Sequence, residues 1–99
     1  MRVEARIATD LKVRIVTNGH TRSEFLIDIS LGGAFVRSAL PLQVGTDVEL
    51  HLRPPRTLLG FTLKGRVAWH RMTGKDTGYG VAFIAPDSAK LTKLLARLT

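Results

Sequence analysis

Cysteine is absent, acidic side chains are scarce, aromatic side chains are few, and no apolar run is long. Without cysteine the chain holds neither a disulfide framework nor a thiolate metal site, which fits a reducing cytoplasm. Only 8 aspartates and glutamates stand against 15 lysines and arginines, a formal charge of +7. The expected partner is therefore an anion: nucleic acid, an anionic membrane surface or a small phosphorylated ligand. No stretch approaches the roughly 18 apolar residues of a spanning helix. Arg2, Glu4 and Arg6 put charge where a secretory signal has its apolar core. A cytoplasmic chain without membrane insertion is expected. His20, His51 and His70 fall on separate segments with no recognisable metal or nucleophile spacing, so no enzyme and no cofactor are expected.

What is present is a beat of two. Leu11, Val13 and Ile15 alternate with Lys12 and Arg14, as in a strand with one buried face. Phe25, Ile27 and Ile29 alternate with Leu26, Asp28 and Ser30, then Val48, Leu50 and Leu52 with Glu49, His51 and Arg53. Phe61, Leu63, Val67 and Trp69 follow, and Tyr79, Val81 and Phe83 close the series. Read this way, five of the six aromatic residues (Phe25, Phe61, Trp69, Tyr79 and Phe83) point inward, and Leu26 points out, where it offers a dimer contact. Turn residues separate the runs: Asn18-Gly19, Gly32-Gly33, Pro41 with Gly45, Pro54-Pro55, and Gly74 to Gly78. The strands follow one another too closely for crossover helices, so they pair antiparallel.

The period changes only at the end. Leu91, Leu94, Leu95 and Leu98 have helical spacing, opposite Lys90, Lys93 and Arg97, and Asp87 is placed to cap them. About six short strands laid flat would leave exposed edges, so the expected fold is all-β: a six-stranded antiparallel β-barrel of split-barrel type, with a short C-terminal α-helix. The chain's 99 residues make one domain. It divides into an arm over residues 1–9, a barrel over 10–85 and a helix over 87–98.

Two segments concentrate polar chemistry. Arg2 and Arg6 lie four apart, a spacing that puts both on one side of an extended or a helical segment. Asp28, Ser30, Gly32 and Gly33 end the second strand and begin a turn. If Ile27 and Ile29 face the core, Asp28 and Ser30 point together to the outside, and the glycines beyond them allow close approach of a ligand. Taken singly, each feature is ordinary: terminal arginines are usually solvated, and alternation demands polar residues on an outer face.

Together, RxxxR at Arg2 and Arg6 and DxSxxG at Asp28, Ser30 and Gly33 resemble the signature of PilZ domains. The likeness extends through Gly33-Ala34-Phe35-Val36, Val44-Gly45, Gly65-Arg66-Val67-Ala68-Trp69 and Gly78-Tyr79-Gly80-Val81-Ala82-Phe83. It implies a receptor for cyclic di-GMP with a six-stranded barrel. Arginine suits that ligand because a guanidinium can pair with guanine O6 and N7, stack on a base or neutralise a phosphate. Under this resemblance Arg2 and Arg6 carry most of the affinity. Asp28 accepts from guanine N–H groups or holds an arginine, Ser30 donates to a phosphate or base edge, and Gly33 with Gly32 gives room and backbone N–H groups. Trp69 is a core or rim residue or, as the lesser alternative, a guanine stack. With only Met1 ahead of Arg2, the arm is expected to order over the bound nucleotide. The implied output is control of motility, attachment or exopolysaccharide through an unidentified protein partner, by a monomer or weak homodimer. Two alternatives stay open: a PilZ-fold adaptor that binds no nucleotide, and a basic nucleic-acid-binding barrel.

Overall fold

The computed structural model describes residues 6–75 and 77–99. Six strands and one helix follow in order: β1 (Ile7–Thr17), β2 (His20–Ile29), β3 (Gly33–Arg37), β4 (Asp47–Leu52), β5 (Phe61–Arg71), β6 (Gly78–Phe83) and α1 (Ser88–Arg97). They close an antiparallel barrel in the order β1-β2-β3-β6-β5-β4. Closure removes the sheet edges that a flat arrangement would expose. Asn18 and Gly19, with φ of 49° and 78°, make the tight turn from β1 to β2 that the twist of a hairpin favours. The barrel is sewn shut by β1 against β4, where the register runs only over Arg14↔His51, Ile15↔Leu50 and Val16↔Glu49.

The core is the barrel interior. Val13, Ile15, Leu26, Ile29, Val36, Leu50, Leu63, Val67, Tyr79 and Val81 form one cluster that Leu91 and Leu94 of α1 join. Each such side chain taken out of water contributes about 1.5–3 kcal/mol. The Asp87 carboxylate accepts from the Lys90 backbone N–H at 3.2 Å, the capping interaction that starts α1.

Irregularities of register decide which side chains leave the core. In β2, Leu26 faces Val36 and Asp28 faces Phe35, so Ile27 is an extra residue. A one-residue insertion reverses the inward phase. Arg22, Glu24 and Leu26 point inward before it and Ile29 after it, so the expected phase holds at Ile29 and fails upstream. Leu26 is fully buried and offers no dimer contact, whereas Phe25 is 41% exposed. β5 repeats the device: Val67 faces Val81 and Trp69 faces Gly80, which leaves Ala68 as the extra residue. Trp69 is thereby turned outward and is 44% exposed, against the inward position its spacing suggests. Phe83 is half-buried, while Phe61 and Tyr79 are buried as the alternation implies.

The inward Arg22 and Glu24 are held by a polar network. Arg22 Nε lies 3.0 Å from Glu24 Oε1, Ser38 Oγ donates to the same carboxylate oxygen at 2.9 Å, and Arg22 also donates to Ser38 Oγ and the Leu40 carbonyl. Beside this network the Tyr79 hydroxyl is buried without a hydrogen-bond partner among the described residues. Burial pushes its phenol above the ordinary range; Glu24 adds to the shift and Arg22 opposes it.

Candidate functional site

The site follows from one register row across the outer face. Ala8 faces Asp28, Asp28 faces Phe35, Phe35 faces Gly80 and Gly80 faces Trp69, a row that crosses β1, β2, β3, β6 and β5. Arg6 stands two residues before Ala8 and so enters on the same face. Its Nη2 reaches Asp28 Oδ1 at 2.6 Å and its Nε the same oxygen at 3.2 Å. Both contacts use one oxygen, and among the described residues Asp28 Oδ2 accepts no hydrogen bond. The Arg6 side chain is 49% exposed, and a pair this open adds at most about 1 kcal/mol to stability. Its value lies in holding Arg6 rather than in holding the fold. Arg2 lies outside the described residues.

Next to the ion pair is a recess of about 230 Å³ lined by Arg6, Ser30, Gly32, Gly33, Ala68 and Trp69, among others. Five of the residues singled out by the sequence, Arg6, Ser30, Gly32, Gly33 and Trp69, therefore meet there, with Asp28 bonded to the first. Ser30 does not point outward with Asp28 as strand alternation suggests. It is fully buried, because the chain leaves β2 after Ile29 and turns back on itself, Ser30 N–H donating to Gly33 O at 2.8 Å. Ser30 Oγ accepts from the Gly32 N–H at 3.3 Å and so organises the turn from within.

Gly33 has a packing duty too. A Cβ there would lie 2.2 Å from the Val81 carbonyl oxygen, so any side chain would force β3 and β6 apart. The room it leaves is first of all room for a neighbouring strand.

Two further residues, Phe35 and Arg71, complete this face. The Phe35 and Trp69 rings stack with centroids 5.2 Å apart and planes 17° from parallel. The Arg71 guanidinium lies 5.2 Å from the Phe35 centroid and 5.7 Å from that of Trp69, within the range of cation–π attraction. Gly80 makes the arrangement possible: a Cβ on it would lie 2.3 Å from the Trp69 ring. In sequence Phe35 is legible only as part of the family likeness, and Arg71 only as one of the 15 basic residues. The signal that could have found them is Gly78-Tyr79-Gly80, where two glycines share the outer face of a strand.

Fold and site together define a small closed barrel that presents a guanidinium, a carboxylate and an aromatic wall around a shallow recess. The family is a matter of direct comparison: the PilZ domain model matches residues 2–99, and the chain belongs to the PilZ family. Three solved structures share the fold. The PilZ domain of CeSA from a cellulose-synthesizing bacterium is 17% identical with a TM-score of 0.68, covering 95% of this chain and 94% of that one. PlzA of Borreliella burgdorferi, solved in complex with c-di-GMP, is 20% identical with a TM-score of 0.67, covering 99% of this chain and 40% of PlzA. The Bacillus subtilis inhibitor of motility MotI/DgrA is 21% identical with a TM-score of 0.71, covering 98% of this chain and 50% of that one. The chain thus spans half or less of the last two proteins. A search of curated proteins finds no match. Among the described residues no helix is long and apolar enough to cross a membrane, and no cluster of three or more potential metal ligands occurs.

Proposed function

We propose that this domain is a non-enzymatic cyclic di-GMP receptor that binds the dinucleotide over the recess between Arg6 and Trp69. The observation that carries the reading is the ion pair of Arg6 with Asp28 at the rim of a recess that Ser30, Gly32 and Gly33 also line. Arg6, joined by Arg2 from the arm, takes a phosphate or the O6 and N7 edge of a guanine. Asp28 spends Oδ1 on Arg6 and turns Oδ2 to guanine N–H donors. Ser30 and the Gly32–Gly33 backbone shape the floor, and Trp69, braced by Phe35 and Arg71, stacks on a base. Ordering of the arm over the ligand then changes the surface that a protein partner meets. That the family is a receptor family, and that one solved relative was captured with c-di-GMP, supports the ligand class.

The test is titration calorimetry with cyclic di-GMP on the wild type and on Arg6→Ala. One good bidentate arginine contact is worth about 1–3 kcal/mol. Arg6→Ala is expected to lose measurable binding at micromolar ligand, and near-normal affinity would refute the assignment. One observation favours a second reading. The outward ring of Trp69, 44% exposed and backed by the buried Phe35, is an aromatic surface of the kind that single-stranded nucleic acids use, which the inward phase expected from the sequence had denied. A parallel titration with single-stranded DNA separates the two: selective saturable binding of the dinucleotide supports the receptor, and salt-sensitive DNA binding alone supports the rival.

A further inference from the structure

The opposite side of the barrel carries a larger groove that the nucleotide reading does not use. Its volume is about 570 Å³, and Lys12, Arg14, Ser23, His51, Arg53 and Thr62 are among its lining residues. Ser23, Arg14, His51 and Thr62 form a register row across β2, β1, β4 and β5, and Lys12 lies two residues along β1 on the same face. Lys12, Arg14 and Arg53 are exposed, and no carboxylate among the described residues pairs with them. The neighbouring acid, Glu49, is occupied by His51 Nε2 at 3.0 Å.

At one end of the groove the β4–β5 loop leaves on Arg53 and returns on Gly60, both groove-lining. It carries Leu58, 93% exposed, and Leu59, 62% exposed, together with the exposed Arg56. Adjacent leucines this open, beside unpaired cations, are the mixture expected of a surface that meets a partner.

We propose that this groove docks an extended acidic segment of a partner protein, its carboxylates on Lys12, Arg14 and Arg53 and an apolar side chain against Leu58 and Leu59. Lys12 and Arg14 are two residues apart on a strand, about 7 Å, the repeat at which alternate side chains of an extended peptide recur. Acidic residues at every second position therefore match Lys12 and Arg14 in turn, and Arg53 reaches the segment from the end of the neighbouring strand. A single-stranded nucleic acid fits less well, because among the described lining residues Phe61 is buried and the His51 ring is held by Glu49. A flat lipid surface meets the leucine loop but not cations set along a concave bed. The groove shares no residue with the Arg6–Trp69 recess, so this inference goes beyond the nucleotide reading and does not depend on it.

The experiment is fluorescence anisotropy with a fluorescein-labelled peptide that alternates glutamate and serine and ends in two leucines. A peptide with lysine for glutamate, phosphatidylcholine–phosphatidylserine vesicles and an oligothymidine are run beside it. Saturable binding of the acidic peptide is expected, weakened about tenfold or more in the Lys12→Glu, Arg14→Glu double variant. The Leu58→Ser, Leu59→Ser variant should weaken it about three- to tenfold. Thermal melts and cyclic di-GMP titrations of the same variants should match the wild type, which shows that the barrel is intact. The proposal is overturned if the acidic peptide does not saturate, if the lysine peptide binds as well, or if both double variants leave peptide affinity unchanged. It is equally overturned if vesicles or oligothymidine bind and the peptide does not. Peptide binding by a protein that ignores cyclic di-GMP would sink the nucleotide reading and leave this one standing.

Discussion

The outer faces on β3–β6 and on β1–β4 belong to one barrel and draw on one excess of positive charge, yet they present it differently. On the first, glycines at outward positions of β6 let Phe35 and Trp69 lie over the strand, and the cations are positioned: Arg6 by Asp28, Arg71 by the rings. On the second, ordinary alternation sets out Lys12 and Arg14, and Arg53 follows at the end of β4, with none of the three paired to a carboxylate among the described residues. A placed guanidinium recognises a shaped ligand, whereas a loose cation attracts whatever is acidic. Composition sets the sign of both faces, and backbone register sets what each can discriminate.

The sharpest way to break this contrast is Gly33→Ala. The new Cβ would meet the Val81 carbonyl oxygen at 2.2 Å, and backbone cannot swing aside as a side chain can. A loss of about 2–3 kcal/mol in a urea melt is expected, with or without nucleotide. Normal stability with lost binding would instead make Gly33 a ligand contact alone. A smaller effect is expected at Trp69. Trp69→Ala removes one side of the stack with Phe35, and base stacking is worth about 1–3 kcal/mol; cyclic di-GMP affinity should fall about tenfold in a calorimetric titration while peptide binding on the β1–β4 face stays unchanged. Equal losses on both faces would show that the two are coupled through the barrel.

The smallest effect is expected inside. Tyr79→Phe removes a buried hydroxyl that has no hydrogen-bond partner among the described residues, so stability near neutral pH should change by less than about 1 kcal/mol in either direction. The pH dependence is more telling. The folded phenol keeps its proton above the ordinary value of 10.0, so the unfolded state releases that proton first and stability falls as pH rises past 10. Denaturant midpoints measured from neutral to alkaline pH should show that decline in the wild type and a shallower one in Tyr79→Phe.

Much of this molecule was legible before any coordinates. Strict alternation at Val13 and Ile15, and at Val48, Leu50 and Leu52, marks half-buried strands whose inward residues are buried in the structure. The Leu91–Leu94 spacing after Asp87 marks the helix. What escaped were side chains beyond an inserted residue. A period of two carried through Ile27 and Ala68 puts Phe25 and Trp69 inward, and nothing in either local sequence announces an extra residue. β3 was visible only through the family likeness, since Ala34, Phe35 and Val36 are all buried and so show no alternation. Phe35 is covered from outside by Trp69, which no reading of β3 alone could supply. At the site, the sequence brought Arg6 and Asp28 together by resemblance, and the structure supplies the reason: the two occupy the same outer face at the β1–β2 register. Ser30 was misdirected because the strand ends one residue before it.

The brief seam between β1 and β4 bears on how the chain reaches this shape. Hairpin neighbours such as β1 and β2 meet early because little chain separates them, but Arg14 and His51 must find each other across more than a third of the chain. Three residue pairs reward that search, against five for the still longer reach from β3 to β6, so the β1–β4 seam has the least to hold it. A ligand or partner that bridges the two strands would act as a clasp, steadying the entire cylinder from its weakest stave.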